Sequence, residues 1–306
     1  MHDIIIVGGG PAGLTAAVYA LRAGKTVLVI EKNGFGGQIA FSPKVENIPG
    51  TKLISGTEFA DQLTDQAMAL GADVELENVV SVEDLGDYKR ITTEEGSAYE
   101  GKAVVLAVGV KHRMLGLPGE HDLVGKGLSF CAVCDGAFYA GQDTVMIGGG
   151  NSALEETLYL SRIVNKVYLV HRRDAFRGAK IYEDKIRETS NIELVTKSVI
   201  DEIRGGNAGM DSVIVRNVEN GDIRIIEAEG LFVYVGMAPV SSFLPASVER
   251  DAAGFIVTDA EMCTSAPGIF AAGDVRAKRC RQVSSAVGDG ATAATAALTY
   301  LEHWNA

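Results

Sequence analysis

The turn Gly8-Gly9-Gly10-Pro11-Ala12-Gly13 constrains this chain more than any other stretch. It follows a continuous apolar run at residues 3–7 (DIIIV) and precedes an apolar, alanine-rich stretch at residues 14–23. A β-branched run without alternation marks a parallel strand buried on both faces. A tight glycine turn between such a strand and a helix is the opening of a dinucleotide-binding unit. Gly8 permits the turn, Gly10 lets a pyrophosphate reach the backbone, and Gly13 lets helix and strand pack closely. The turn residues Pro11 and Ala12 lead into the helix N-terminus, which offers free N–H groups and the positive dipole end to phosphates. A second strand at residues 26–30 (TVLVI) ends on Glu31, 18 residues past Gly13, where a carboxylate can accept hydrogen bonds from ribose hydroxyls.

The opening repeats itself at an offset of 140 residues without gaps. Gly8, Gly10 and Gly13 fall on Gly148, Gly150 and Ala153, and residues 26–30 fall on 166–170 (KVYLV). Alanine is an accepted variant at the third position. The acid is not repeated: Glu31 falls on His171, followed by Arg172, Arg173 and Arg177. A carboxylate repels a 2′-phosphate, whereas guanidinium groups bind one in bidentate fashion. The first site is therefore expected to take FAD, whose adenosine has free ribose hydroxyls, and the second NADPH.

Between and after the two fingerprints the chain keeps an α/β rhythm. An amphipathic helix is expected over residues 58–70, short strands over 73–93, and a buried parallel strand over 102–109. Leu117-Pro118-Gly119 breaks the pattern and is the candidate first linker, with Ala238-Pro239 the candidate return. Strands are expected over 192–203, 212–218 and 231–236, with Asn220-Gly221 turning a hairpin through two positive φ values. Residues 268–274 form a strand ending on Asp274, and a long alanine-rich helix runs over about 284–301. That last strand and helix are too little for a domain and complete the first one. The expected fold is α/β, with two Rossmann-like three-layer dinucleotide-binding domains. A discontinuous FAD domain spans residues 1–116 and 243–306, and an NADPH domain over residues 117–242 is inserted into it.

Four cysteines in 306 residues do not make a secreted disulfide framework, and the apolar run at residues 4–7 is too short for a signal-peptide core or a membrane span. A cytosolic location is the expectation. A net charge of −12 argues against a nucleic-acid partner. Cys131 and Cys134 are three apart and lie between the fingerprints, followed by Asp135-Gly136. A zinc site needs about four ligands, and Cys263 and Cys280 fall in the other domain, so no metal is expected. An inert buried pair is the bland alternative. A carboxylate beside two thiols favours proton-coupled redox chemistry, with electrons passing from a nicotinamide through a flavin to the disulfide. Cys263 and Cys280 are expected to be free thiols.

The ordered motifs resemble the two-dinucleotide-binding flavoproteins, and most of all the low-molecular-weight thioredoxin reductases. The matches are residues 8–13, Gly37-Gln38, residues 45–50 (VENIPG), Cys131 with Cys134, residues 148–156, His171-Arg172-Arg173 with Arg177, Gly273-Asp274 and Arg281-Gln282, spread over nearly the full length. The resemblance implies NADPH-dependent, FAD-mediated reduction of a protein disulfide, foremost that of thioredoxin, in a homodimer whose domains rotate between half-reactions. It implies that Gly37, Gln38, Asn47, Gly109, Gly273, Arg281, Gln282 and Val283 line the flavin site, with Asp274 on the ribityl–phosphate portion. Asn151, Ser152 and Glu156 join the NADPH site. Cys134 would face the flavin, Cys131 would attack the substrate, and Asp135 would move the proton. Two positions depart from the pattern, Val108 where threonine is frequent and Cys280 where an aromatic is frequent. Reduction of another disulfide, a ferredoxin-fed reductase and a flavin-bearing redox sensor are the alternatives, the arginine cluster speaking against ferredoxin.

Overall fold

The computed structural model describes residues 1–42, 44–206 and 209–304. The N-terminal apolar run is β1 (His2–Val7), with Ile4, Ile5 and Ile6 wholly buried. α1 (Pro11–Arg22) starts three residues ahead of the stretch expected from apolar spacing, because extended Gly10 caps it and Pro11 is its first residue. A proline there loses nothing, since its missing N–H has no partner in a first turn. β2 (Val27–Glu31) pairs in parallel with β1, Ile4 opposite Val27. α2 (Gly56–Ala69) is capped by Ser55 Oγ, which accepts the Glu58 N–H at 3.1 Å. β3 (Asp73–Leu76), β4 (Val79–Asp84), β5 (Lys89–Thr93), β6 (Ala98–Leu106) and β7 (Val110–His112) complete this pass. β6 starts earlier than expected because its first half pairs antiparallel with β5, while its second half lies parallel to β1.

The middle of the chain carries β8 (Leu128–Ser129), α3 (Ala132–Asp135), β9 (Asp143–Gly148), α4 (Asn151–Leu160) and β10 (Lys166–Val170). α5 (Lys180–Glu188), β11 (Ile192–Val195), β12 (Ser198–Gly206), β13 (Gly209–Asn217), β14 (Ile223–Glu227) and β15 (Gly230–Tyr234) follow. A parallel sheet of order β11-β10-β9-β15-β8 forms the centre, and β12-β13-β14 make a separate antiparallel sheet. Lys197, left-handed at φ 51°, divides β11 from β12 and sends them to different sheets. The β13–β14 hairpin differs from the expected turn: Gly221 is left-handed at φ 80°, but Asn220 is not. Asn217 organises the loop instead, its Oδ1 accepting the N–H groups of Glu219 and Asn220.

β16 (Met237–Pro239), β17 (Ile269–Ala271) and α6 (Val283–Trp304) end the chain. β17 joins the first sheet beside β6, giving a parallel core β3-β2-β1-β6-β17 with β5 and β4 added antiparallel. The two faces of β1 explain its lack of alternation: Ile4 and Ile6 pack with α1 and α6, Ile5 and Val7 with Leu244, Val248 and Ile256.

The chain divides into two compact units, Met1–Lys111 with Ala238–Ala306, and His112–Met237. The crossings thus fall at 111/112 and 237/238, five residues before the boundaries expected at 116/117 and 242/243. β7 and β16 pair with each other at these crossings. Leu117-Pro118-Gly119 is a turn of the inserted unit, held by the buried Glu120 carboxylate, which accepts the N–H groups of Leu115, Gly116 and Leu117 at 2.8–3.3 Å. No helix among the described residues is long and apolar enough to cross a membrane.

Candidate active site

In the first unit the glycine turn closes tightly at one end and stays open at the other. A side chain at Gly13 would lie 1.9 Å from the Gly8 carbonyl oxygen, whereas one at Gly10 would meet nothing nearer than 3.8 Å. Close packing below and bare backbone above is what a pyrophosphate over the α1 N-terminus needs. Glu31 does not stand free at the end of β2. Its Oε2 accepts the Gly9 N–H at 2.8 Å and its Oε1 the Asn33 N–H at 3.1 Å, so the carboxylate braces the turn while keeping lone pairs outward. Pro11 and Ala12 form the first turn of α1, and Gly37 and Gly109 are left-handed at φ 64° and 63°. Gln38 donates its amide to the Val110 carbonyl, and Asn47 donates to Gln282 Oε1 at 3.2 Å.

Asp274 follows β17 in a short 3-10 turn. Its Oδ1 is buried without a hydrogen-bond partner, with Lys278 Nζ 3.6 Å away, and burial holds its carboxyl above the usual range. Arg281 lies over the Phe255 ring at 4.2 Å and donates to the Asp274 and Arg276 carbonyls. Val283 opens α6, and the preceding Gln282 N–H is held by Ser285 Oγ. Asp289, which the sequence reading missed, organises the turn: 9% exposed, it accepts the Gly273 N–H at 3.0 Å and pairs with Arg276 and Lys278 at 2.9 Å each. Its signal was an acid in the second turn of an otherwise alanine-rich helix.

The second fingerprint copies the first. Ala153 is buried under Gly148, and a side chain at Gly150 would meet nothing within 4 Å. Asn151 Oδ1 accepts the Ala179 N–H at 2.7 Å, and Ser152 is exposed beside it. His171 fills the place of Glu31, 6% exposed and stacked on Phe176, with its ring where a Gly149 side chain would go. Burial, with three arginines nearby, holds it below the ordinary imidazole range and therefore neutral. The Arg177 N–H bonds to the Gly149 carbonyl at 2.7 Å, which ties the loop to the fingerprint turn. Arg172, Arg173 and Arg177 are exposed, and none makes an ion pair with a carboxylate among the described residues.

Cys131 and Cys134 form a disulfide, Cys131 capping the short α3. The Cys134 N–H points at Cys131 Sγ at 3.2 Å, and the Asp135 N–H at the Cys131 carbonyl at 3.0 Å. Asp135 Oδ2 accepts the Ser129 hydroxyl at 2.5 Å, while Ser129 Oγ accepts the Cys131 N–H at 3.0 Å. Asp135 Oδ1 is buried without a partner, and burial raises its carboxyl above the usual range despite the Ser129 bond. Tyr234 Oη takes the Ala132 N–H at 2.8 Å. Ser129 and Tyr234 escaped the sequence reading because the parallel pairing of β15 with β8, Phe232 opposite Ser129, is what brings them together. Glu156 of α4 has its Oε2 buried without a hydrogen-bond partner, and burial pushes its carboxyl up to about 7. Cys263 and Cys280 are free thiols.

The model of the pyridine nucleotide-disulphide oxidoreductases matches residues 2–290. The chain is 43% identical over 302 residues to the thioredoxin reductase of Treponema pallidum, covering 98% of this chain and 97% of that one. The solved thioredoxin reductase of Streptococcus pyogenes is 43% identical and superposes with a TM-score of 0.94 over 99% of both chains. That of Lactococcus lactis, in its FR conformation, is 40% identical with a TM-score of 0.69 over 99% of this chain and 100% of that one. Agreement over nearly the full length, together with a disulfide closed between Cys131 and Cys134, places the chain in the pyridine nucleotide-disulphide oxidoreductases, within the thioredoxin reductase family.

Proposed function

We propose that the protein reduces the disulfide of thioredoxin with electrons from NADPH, passed through FAD and the Cys131–Cys134 pair. The observation that carries this reading is the disulfide at the start of α3, set in the same unit as a nucleotide turn flanked by three arginines that pair with no carboxylate among the described residues. The first unit suits FAD. Gly10 leaves the backbone bare for a pyrophosphate, and Asp274 keeps a buried oxygen that accepts no hydrogen bond, 3.6 Å from Lys278 Nζ, where a ligand hydroxyl would be met. Gly8, Gly13, Glu31, Gln38 and Asn47 complete that cradle. Bound there, FAD would supply the two-electron chemistry that links a nicotinamide to the disulfide. Gly148, Gly150, Asn151, Ser152 and Ala153 would hold the NADPH pyrophosphate. His171 would stay neutral beside the ribose, and Arg172, Arg173 and Arg177 would clamp the 2′-phosphate.

The Cys134 N–H, aimed at Cys131 Sγ, stabilises that sulfur as the attacking thiolate. Asp135 holds the proton that the leaving sulfur needs, and Ser129 fixes its carboxyl. Transfer to the protein substrate runs through a mixed disulfide. The thiols lie in the inserted unit and the FAD cradle in the other, and a protein substrate must also reach Cys131. The inserted unit therefore rotates about its two crossings between half-reactions.

Anaerobic stopped-flow mixing tests the reading. NADPH should reduce the flavin where reduced ferredoxin does not, and added thioredoxin should reoxidise it. Cys134→Ser should lose turnover and trap thioredoxin through Cys131. NADPH reduction that no thioredoxin reverses would refute thioredoxin as the substrate. Cross-linking the two units should stop thioredoxin turnover while sparing one half-reaction, and full turnover in the cross-linked protein would refute the rotation.

A further inference from the structure

Two acids and two cations crowd the turn that follows β17. Gly273, left-handed at φ 78°, starts the turn, and a side chain there would lie 2.9 Å from the Ala12 side chain at the head of α1. The same residue of α1 meets α6, since a side chain at Gly290 would lie 2.2 Å from the Ala12 carbonyl oxygen. Asp289 stands one residue before that contact, where close helix packing leaves its backbone little room to shift. A single oxygen of its carboxylate, Oδ2, takes three donors. They are the Gly273 N–H at 3.0 Å and the Arg276 and Lys278 cations at 2.9 Å each. The three side chains, Arg276, Lys278 and Asp289, are all nearly buried.

The two cations are not equivalent. Arg276 is anchored a second time, its Nε donating to Thr258 Oγ1 at 2.8 Å. Lys278 also donates to Ser285 Oγ at 3.2 Å, and its Nζ stands 3.6 Å from Asp274 Oδ1. That oxygen is buried and accepts no hydrogen bond. An ammonium carries three N–H donors, and a charge-assisted contact to a carboxylate closes at about 2.8 Å. A shift of Nζ by less than about 1 Å therefore suffices to transfer Lys278 from Asp289 to Asp274. What opposes the transfer is Asp289, the nearer of the two carboxylates, because attraction between opposite charges grows as they approach.

We propose that Asp289 is a positioning residue of the FAD site: it holds Lys278 back from Asp274, so that Asp274 Oδ1 stays open to a ligand hydroxyl. The inference deepens the proposed function and rests on its assignment of FAD to this unit. Removing the charge of Asp289 leaves the Gly273 N–H an acceptor in the Asp289→Asn amide oxygen, but it takes the anionic partner from Lys278. The ammonium then closes on Asp274, the next carboxylate. A ligand hydroxyl must displace a buried cation from that oxygen before it can bond there. A carboxylate that merely supported the turn would act otherwise. Its loss would loosen the turn whether or not position 278 carries a charge.

FAD release from the flavin-loaded protein separates the two roles. The rate is read as the gain in flavin fluorescence after dilution, with no nicotinamide nucleotide or thioredoxin present. Asp289→Asn should release FAD about 10- to 100-fold faster than the wild type, the value of one hydrogen bond to a charged group. Lys278→Met alone should stay within about fivefold of the wild-type rate, and adding it to Asp289→Asn should bring the rate back into that range. Recovery is expected because the cation that would cover Asp274 is gone. Three results overturn the proposal: a rate in Asp289→Asn inside that range, no recovery in the double variant, or faster release in Lys278→Met alone, which would make Lys278 itself a ligand contact. Should Asp289→Asn not fold, the crystal structure of the flavin-loaded wild type decides. Lys278 Nζ should remain on Asp289 Oδ2 with a ligand hydroxyl at Asp274 Oδ1, and a Lys278–Asp274 pair closed to about 2.8 Å would overturn the proposal equally. Wild-type protein that carries no flavin and takes none up would instead sink the FAD reading itself, before any variant is made.

Discussion

Glu31 and His171 hold equivalent positions in the two units and set opposite charges there. Glu31 spends one lone pair on Gly9 and one on Asn33, fixing a negative edge beside the first turn. His171 is buried and held neutral, so it contributes shape, and the positive edge comes from Arg172, Arg173 and Arg177, which point to solvent without carboxylate partners. Among the described residues no carboxylate pairs with these guanidiniums. Replacing any one by alanine should lower kcat/KM for NADPH roughly 10- to 100-fold, the value of one lost charge-assisted contact. NADH, lacking the phosphate, should respond by less than about threefold. Equal effects on both coenzymes would show that the arginines only support the loop. Arg177 is the most informative of the three, because its backbone already ties the loop to Gly149.

The elements that carry these residues were legible to different degrees, for physical reasons. β1, β2, β9 and β10 stood out because both faces are buried, which forces an unbroken apolar run. The start of α1 was misplaced because proline and glycine read as turn residues, although at Pro11 and Gly10 they are first residue and cap. The β13–β14 hairpin was found, but its turn chemistry was not, since Asn217 rather than Asn220-Gly221 supplies the organising contacts. The thiol pair was visible as a motif, and its surroundings were not. Ser129 and Tyr234 reach α3 from β8 and β15, and Ala132 and Tyr234 lie 102 residues apart. Only the parallel register of β15, with Leu231 opposite Leu128, makes them neighbours. Periodicity finds an element and a motif finds a chemistry. The contacts that tune the chemistry depend on sheet order, which neither reveals.

At the scale of the whole molecule, each of the four apolar clusters draws its residues from one unit alone. Two belong to Met1–Lys111 with Ala238–Ala306, and two to His112–Met237. The insertion therefore completes its own core, with both faces of its parallel sheet covered. Its ends lie side by side, because β7 and β16 pair at the crossings. A segment with a closed core and adjacent ends meets the conditions for folding alone. Residues 112–237 expressed separately should unfold in one cooperative transition, form the Cys131–Cys134 disulfide, and bind NADPH within about threefold of the full chain, since every residue assigned to that nucleotide is present. The remainder, with Lys111 joined to Ala238 through a short glycine linker, should bind FAD, because closing so short a gap costs little chain entropy. Calorimetry and nucleotide titration of the two pieces check both expectations. A non-cooperative transition in the insert would mean that its core is completed by the other unit. Failure of the remainder to take up FAD would mean that β7 and β16 need the insertion to hold β6 and β17 in register.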